Sequence, residues 1–182
     1  MAIWLHRLWS NGSPVSRFSL VCPFISRNSF VRLGSWESVP LVENWRSKAL
    51  TNFPELEFEI TRNQGGPIGL WTDLHLALAG AYQTTPINDE LIGRIYDFAA
   101  WCFRQPETGE VETDLSNAAA VGFIESLPLD QRVSDDLYRW LSVETFEGCE
   151  SLFRHHLSEE KYRKLHTDFI QKKKGFTGPS HL

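Results

Sequence analysis

The chain has 182 residues, 42% of them apolar and 23% charged, a balance that excludes a collagen-like, fully disordered or disulfide-stapled protein. That length closes a core unaided, since a domain of about 150 residues buries roughly 68–70% of the surface its unfolded chain exposes. The formal charge of −5 conceals a basic start, an acidic body with seven bases against twenty acids over 37–150, and a basic end, which disfavours nucleic acid because phosphate binding needs a basic face.

Residues 1–39 differ from the rest. They are rich in Ser, Arg and aromatics, and no acid precedes Glu37. Three readings compete. A transit peptide has this composition. A secretory signal needs a continuous apolar stretch, and Phe18–Ile25 is broken by Pro23. The reading preferred is an extension outside the fold, disordered or loosely docked, because Gly, Pro and Ser are scattered through it without helix caps.

From Pro40 the pattern becomes helical. Leu41, Trp45, Ala49 and Leu50 recur at helical spacing. Leu56, Phe58 and Ile60 alternate as in a strand, yet no partner strand follows, and Pro54 with Glu55 suits a short helix. Asn63 to Pro67 is a break. Ile68–Gln83 carries Trp71, Leu74, Leu78, Ala81 and Tyr82 on one stripe, with Leu76 and Ala77 pointing to burial on a second side. Asn88 caps a helix of strong 3.6-residue period through Leu91, Ile92, Ile95, Phe98, Ala99 and Cys102. After a polar loop over 107–112, Thr113 or Asp114 caps a helix with Leu115, Ala118 and Ala119. A short segment spans 130–140, Ser142 caps a helix reaching Phe153, and Ser158 caps the last helix, which Gly175 stops. The expected fold is all-α, a compact array of about seven short helices over 40–176, with a poorly structured N-terminal arm and a disordered tail at 177–182.

Chemistry is sparse in this pattern. Cys22, Cys102 and Cys149 are far apart and form no C-x-x-C, so neither a zinc ribbon nor a thioredoxin-like site is written here. Free thiols fit a reducing cytosol. No apolar stretch approaches the ~18 residues of a membrane span. Adjacent helical residues point about 100° apart, which argues against one metal shared by His155 and His156. The spacing allows His155 with Glu159 and His166, but the Ser158 cap bends the chain between them. Neither H-E-x-x-H nor G-x-S-x-G occurs. The glycines of 65–69 lack the lysine of a phosphate loop, and Lys172–Lys174 reads as a solvated helix end. No metal, cofactor or catalytic residue is expected.

Two groups of residues remain as candidates. Asp135, Asp136, Tyr138, Arg139 and Trp140 mix charge with the residue types that anchor protein interfaces; ordinary helix packing is the alternative reading. His75, Tyr96 and Asp97 are the polar groups that an interhelical pocket could use. The preferred function is a non-enzymatic interaction module, immunity-like or regulatory, whose acidic surface steers toward a basic protein partner. The alternative is an enzyme or small-ligand protein using the His75, Tyr96, Asp97 pocket. Oligomeric state is not legible.

Three phrases, Leu91–Cys102, Leu137–Ser142 and Leu152–Glu160, resemble a family of uncharacterised small bacterial helical proteins over about residues 50–170. The resemblance implies a bacterial, cytosolic, all-helical protein with 1–40 outside the domain. It transfers no catalytic residue.

Overall fold

The computed structural model describes residues 44–106, 114–178 and 180–182. The expectations for 1–39, for a helix start near Pro40, for Cys22 and for the loop at 107–113 lie outside these residues. Nine α-helices form among the described residues, with no strand. They are α1 Trp45–Asn52, α2 Glu57–Arg62, α3 Gly66–Ala81, α4 Asp89–Phe103, α5 Leu115–Gly122, α6 Gln131–Trp140, α7 Val143–Gly148, α8 Glu150–His156 and α9 Glu159–Lys174. Two 3₁₀ segments, Pro54–Leu56 and Ile124–Leu129, lie between them.

The fold is all-α, as the periodicity implies, and the helix starts follow side-chain chemistry. Asn88, Asp114, Ser142 and Ser158 each accept from a backbone N–H of the first turn, satisfying a donor that the helix leaves open. Asp130 does the same for α6. The helix count exceeds seven for local reasons. The expected single helix from Ser142 to Phe153 breaks at Cys149, whose N–H is shared among three carbonyls. Pro54 nucleates a 3₁₀ turn before α2, so the alternating segment is helical and Phe58 faces solvent. Leu76 is also exposed, while Ala77 packs partly buried against the core, so of the two residues that suggest a second buried side of α3 only Ala77 contributes.

Helices α3, α4 and α5 pack on one another, α6 on α9, and α8 on the second 3₁₀ segment. A run of rings threads the core. Phe53 meets Phe98, which lies 5.5 Å from Trp71; Trp71 stacks on Phe123 at 4.9 Å. Tyr96 bridges Phe123 to Trp140, and Trp140 meets His181 at 5.1 Å. Phe146, Phe153 and Phe169 form a second cluster, with Phe146 stacked on Phe169 at 4.0 Å. Close approach of α5 to α3 requires Gly122, because a Cβ there would stand 2.7 Å from Trp71 Cβ. At Gly66, φ is +67°, a conformation that favours glycine.

The end of the chain departs from the expected disordered tail. Trp140, which closes α6, offers its carbonyl to the N–H groups of His181 and Leu182 at 3.0 and 3.1 Å. Ser142 N–H donates to the Leu182 carbonyl at 2.6 Å, and Lys173 Nζ donates to Ser180 Oγ at 2.6 Å. The physical reason is the open carbonyl at the end of α6, which the returning backbone satisfies.

Candidate functional site

The segment 135–140 is mostly occupied internally. Asp136 Oδ2 accepts from Tyr82 Oη at 3.1 Å, from Trp140 Nε1 at 3.0 Å and from Arg139 Nη1 at 3.1 Å. Trp140 Nε1 also reaches Tyr82 Oη at 3.1 Å. Burial, and then the neighbouring Asp136 carboxylate, push the Tyr82 phenol well up, so it stays a neutral donor. Arg139 forks onto Asp89 at 2.7 and 3.0 Å, and this hydrogen-bonded pairing lowers the Asp89 carboxyl below its usual range. Lys172 Nζ donates to the Asp135 carbonyl at 2.8 Å, and Lys173 Nζ to the Tyr138 carbonyl at 2.9 Å. The terminal lysines therefore tie α9 to α6 as well as meeting solvent. Trp140 is buried, and Asp135 alone of the five is exposed.

His75, Tyr96 and Asp97 do not share a set of partners. His75 Nδ1 lies 3.2 Å from Ser126 Oγ, which itself donates to the Phe123 carbonyl at 2.8 Å. Burial lowers the His75 imidazole, against a smaller opposite pull from Asp130. Tyr96 is fully buried between Phe123 and Trp140, and its hydroxyl meets no hydrogen-bond partner among the described residues. Asp97 is exposed and accepts from His181 Nδ1 at 2.8 Å. Two surface concavities, one lined by Gln83, Leu129 and Arg132 and one by Glu150, Tyr162 and His166, include none of the three. Tyr96→Phe is expected to leave stability unchanged or raise it by about 1 kcal/mol, because it removes an unpaired buried hydroxyl and keeps the ring. Urea denaturation checks this, and a loss above about 1 kcal/mol means that the hydroxyl has a partner.

The buried thiols offer no nucleophile. Cys102 and Cys149 are both buried, and burial pushes the Cys102 thiol far up, away from the reactive thiolate. At 63–69 two of the backbone amides are engaged: Gly65 N–H donates to Asn63 Oδ1 at 2.7 Å and Gly69 N–H to the Gly65 carbonyl at 3.3 Å. Asn63 Nδ2 donates to the Gly66 carbonyl at 3.1 Å.

Two arrangements face outward. The first is on α2 and α3. Phe58 is 64% exposed and Leu76 67% exposed. Glu57 and Glu59 flank Phe58, and Asp73 lies one helical turn before Leu76. Burial, and next the Glu59 charge, raise the Asp73 carboxyl, which places Glu59 and Asp73 within electrostatic reach across the two helices. Arg62 lays its guanidinium 4.8 Å from the Phe58 ring centroid.

The second arrangement joins residues thirty positions apart. His155 and His156 end α8, and both turn Nε2 toward Glu125 of the second 3₁₀ segment. The distances to Glu125 Oε1 are 3.7 Å from His155 and 2.8 Å from His156. The triplet that the spacing allows but the Ser158 cap argues against, His155 with Glu159 and His166, is not assembled. Glu159 pairs with Arg154 and Arg163, and His166 lies 3.9 Å from Glu147.

Sequence reasoning missed Phe58 as an exposed ring and Glu125 as the meeting point of the two histidines. The run Glu55-Leu-Glu-Phe-Glu carried a signal for the first, since an aromatic enclosed by acids is a poor core segment. No local signal identifies Glu125. Comparison with protein-family models, curated proteins and solved structures finds no match. No helix of the described residues is long and apolar enough to cross a membrane.

Proposed function

We propose that this chain is a non-enzymatic helical module that binds a basic protein, in an immunity-like or regulatory role, through the acidic face of α2 and α3. The bacterial, cytosolic setting implied by the resemblance of residues 50–170 belongs to the same reading. The observation that supports it most is Phe58, a ring exposed on a helix between two exposed glutamates. An aromatic anchor with an acidic rim suits a partner that brings arginine or lysine around an apolar tip. Arg62 already lies over the Phe58 ring, which is the geometry a partner's arginine adopts on the opposite face. The segment 135–140 takes a supporting part in this reading, since most of its polar atoms already hold α6 against α3, α4 and α9.

Phe58→Ala is the test. An exposed site away from the core changes stability by less than about 0.5 kcal/mol, while loss of an interface anchor costs about 2 kcal/mol, or roughly thirty-fold in affinity. The full chain, immobilised at low salt, is expected to capture a basic protein from a bacterial lysate, identified by mass spectrometry. Capture should weaken as salt shortens the Debye length and should fail with Phe58→Ala. Salt-insensitive capture, or equal capture by the variant, counts against this face.

A further inference from the structure

We propose that Glu125, His155 and His156 form a binding site for a divalent first-row transition-metal ion, with zinc(II) as the ion that suits the donor set. Their three ligating atoms lie within 4.8 Å of one another. Zinc bonds to nitrogen and oxygen are about 2.0–2.2 Å, so tetrahedral donors sit roughly 3.3 Å apart. The separations of 2.8 and 3.7 Å between Glu125 Oε1 and the two Nε2 atoms bracket that value. The third separation, between the two imidazoles, is no more than 4.8 Å, and rotation of the exposed His155 side chain is the movement that would close it on an ion.

The carboxylate is the informative member. The Glu125 side chain is only 14% exposed, and removing a carboxylate from water calls for a compensating partner. Among the described residues no lysine or arginine pairs with it; the two imidazoles do. Two imidazole nitrogens and one carboxylate oxygen favour zinc, copper, nickel or iron over calcium and magnesium, which prefer all-oxygen shells.

The scaffold is firm where the ligands attach. Glu125 follows buried Phe123 and Ile124 and precedes buried Leu127, while Ser126 Oγ pins the turn through the Phe123 carbonyl. Phe153 buries α8 two residues before the histidines. The adjacency objection fails here because the His155 and His156 rings, at the last two positions of α8, stand edge to face with centroids 4.9 Å apart, so that both reach one oxygen. The His155 side chain is 72% exposed and that of His156 36%. An ion held there keeps at least one coordination position open to water or to a donor from another molecule. No residue of this site belongs to the α2–α3 face, and the inference stands without the partner-binding reading.

The test titrates the full chain with zinc chloride and follows the imidazole resonances by NMR, with magnesium chloride as the comparison. One equivalent of zinc is expected to shift His155 and His156 together and to leave His75 and His181 in place; magnesium shifts none of them. Competition against a chromophoric chelator should show that His155→Ala and Glu125→Gln each weaken binding at least about ten-fold. His155 is exposed, so its removal leaves the fold intact, and the wild-type resonances decide the point without any variant. Absence of zinc binding below about 1 mM, or equal affinity in the His155→Ala/His156→Ala double variant, overturns the site.

Discussion

Asp136→Ala is expected to destabilise the fold by about 3 kcal/mol, the scale on which a partly buried charged acceptor with several donors is lost. One oxygen, Oδ2, takes hydrogen bonds from Tyr82, Arg139 and Trp140, and these belong to α6 and to the end of α3. Without it, Trp140 Nε1 keeps Tyr82 Oη as an acceptor at 3.1 Å, and Arg139 keeps Asp89. The Tyr82 hydroxyl proton then has no acceptor while its ring stays buried, and that orphan donor sets the size of the loss. Asp136→Asn retains one acceptor oxygen and should cost about 1 kcal/mol. Thermal melts by circular dichroism should place the alanine variant roughly 6–12 °C below wild type. A shift under about 2 °C means that water replaces the carboxylate freely.

Gly122→Ala is expected to cost about 2 kcal/mol, although alanine is the better helix former by about 1 kcal/mol in a helix interior. The opposing effect is contact. The new methyl would stand 2.7 Å from Trp71 Cβ, an atom fixed to the α3 backbone that no rotamer change can move aside. Relief requires α5 to draw away from α3, which opens the stacked pair Trp71–Phe123 and places the effect in the range of overpacked cores. Trimming the indole to Phe leaves Cβ in place and should not rescue the variant. Equilibrium urea unfolding measures the loss, and a stabilised alanine variant would show that the helix propensity outweighs the contact.

Much of the architecture was legible because it rests on short-range chemistry. Asn88, Ser142 and Ser158 are capping residues in sequence and in space, and the stripe from Leu91 to Cys102 is buried as its period implies. Legibility failed where the outcome depends on a tertiary neighbour. The i,i+4 spacing of Asp136 and Trp140 is visible in sequence, but Tyr82, fifty-four residues earlier, turns that pair into a junction between α6 and the end of α3. In sequence His155 and His156 diverge, because helical geometry fixes where Cβ atoms point. It does not fix where imidazoles at the end of a helix come to rest, and Glu125 comes from a turn with no periodicity to announce it. The returning segment at 180–182 was invisible for a related reason. Its backbone hydrogen bonds to Trp140 and Ser142 leave no trace in side-chain pattern, and its side-chain contacts, His181 on Asp97 and Trp140 and Ser180 on Lys173, join residues from other elements.

The threaded rings also give the molecule an optical signature. Tyr96 and Trp140 lie nearly parallel, with 9° between their planes and 5.4 Å between centroids, close enough for their excited states to couple. Near-ultraviolet dichroism from this pair reads the seating of α4 against α6, whereas Trp71 on Phe123 reads α3 against the end of α5. Loosening one seam while the other holds would therefore change the shape of the spectrum and not only its amplitude, so a label-free measurement can tell partial opening from global collapse.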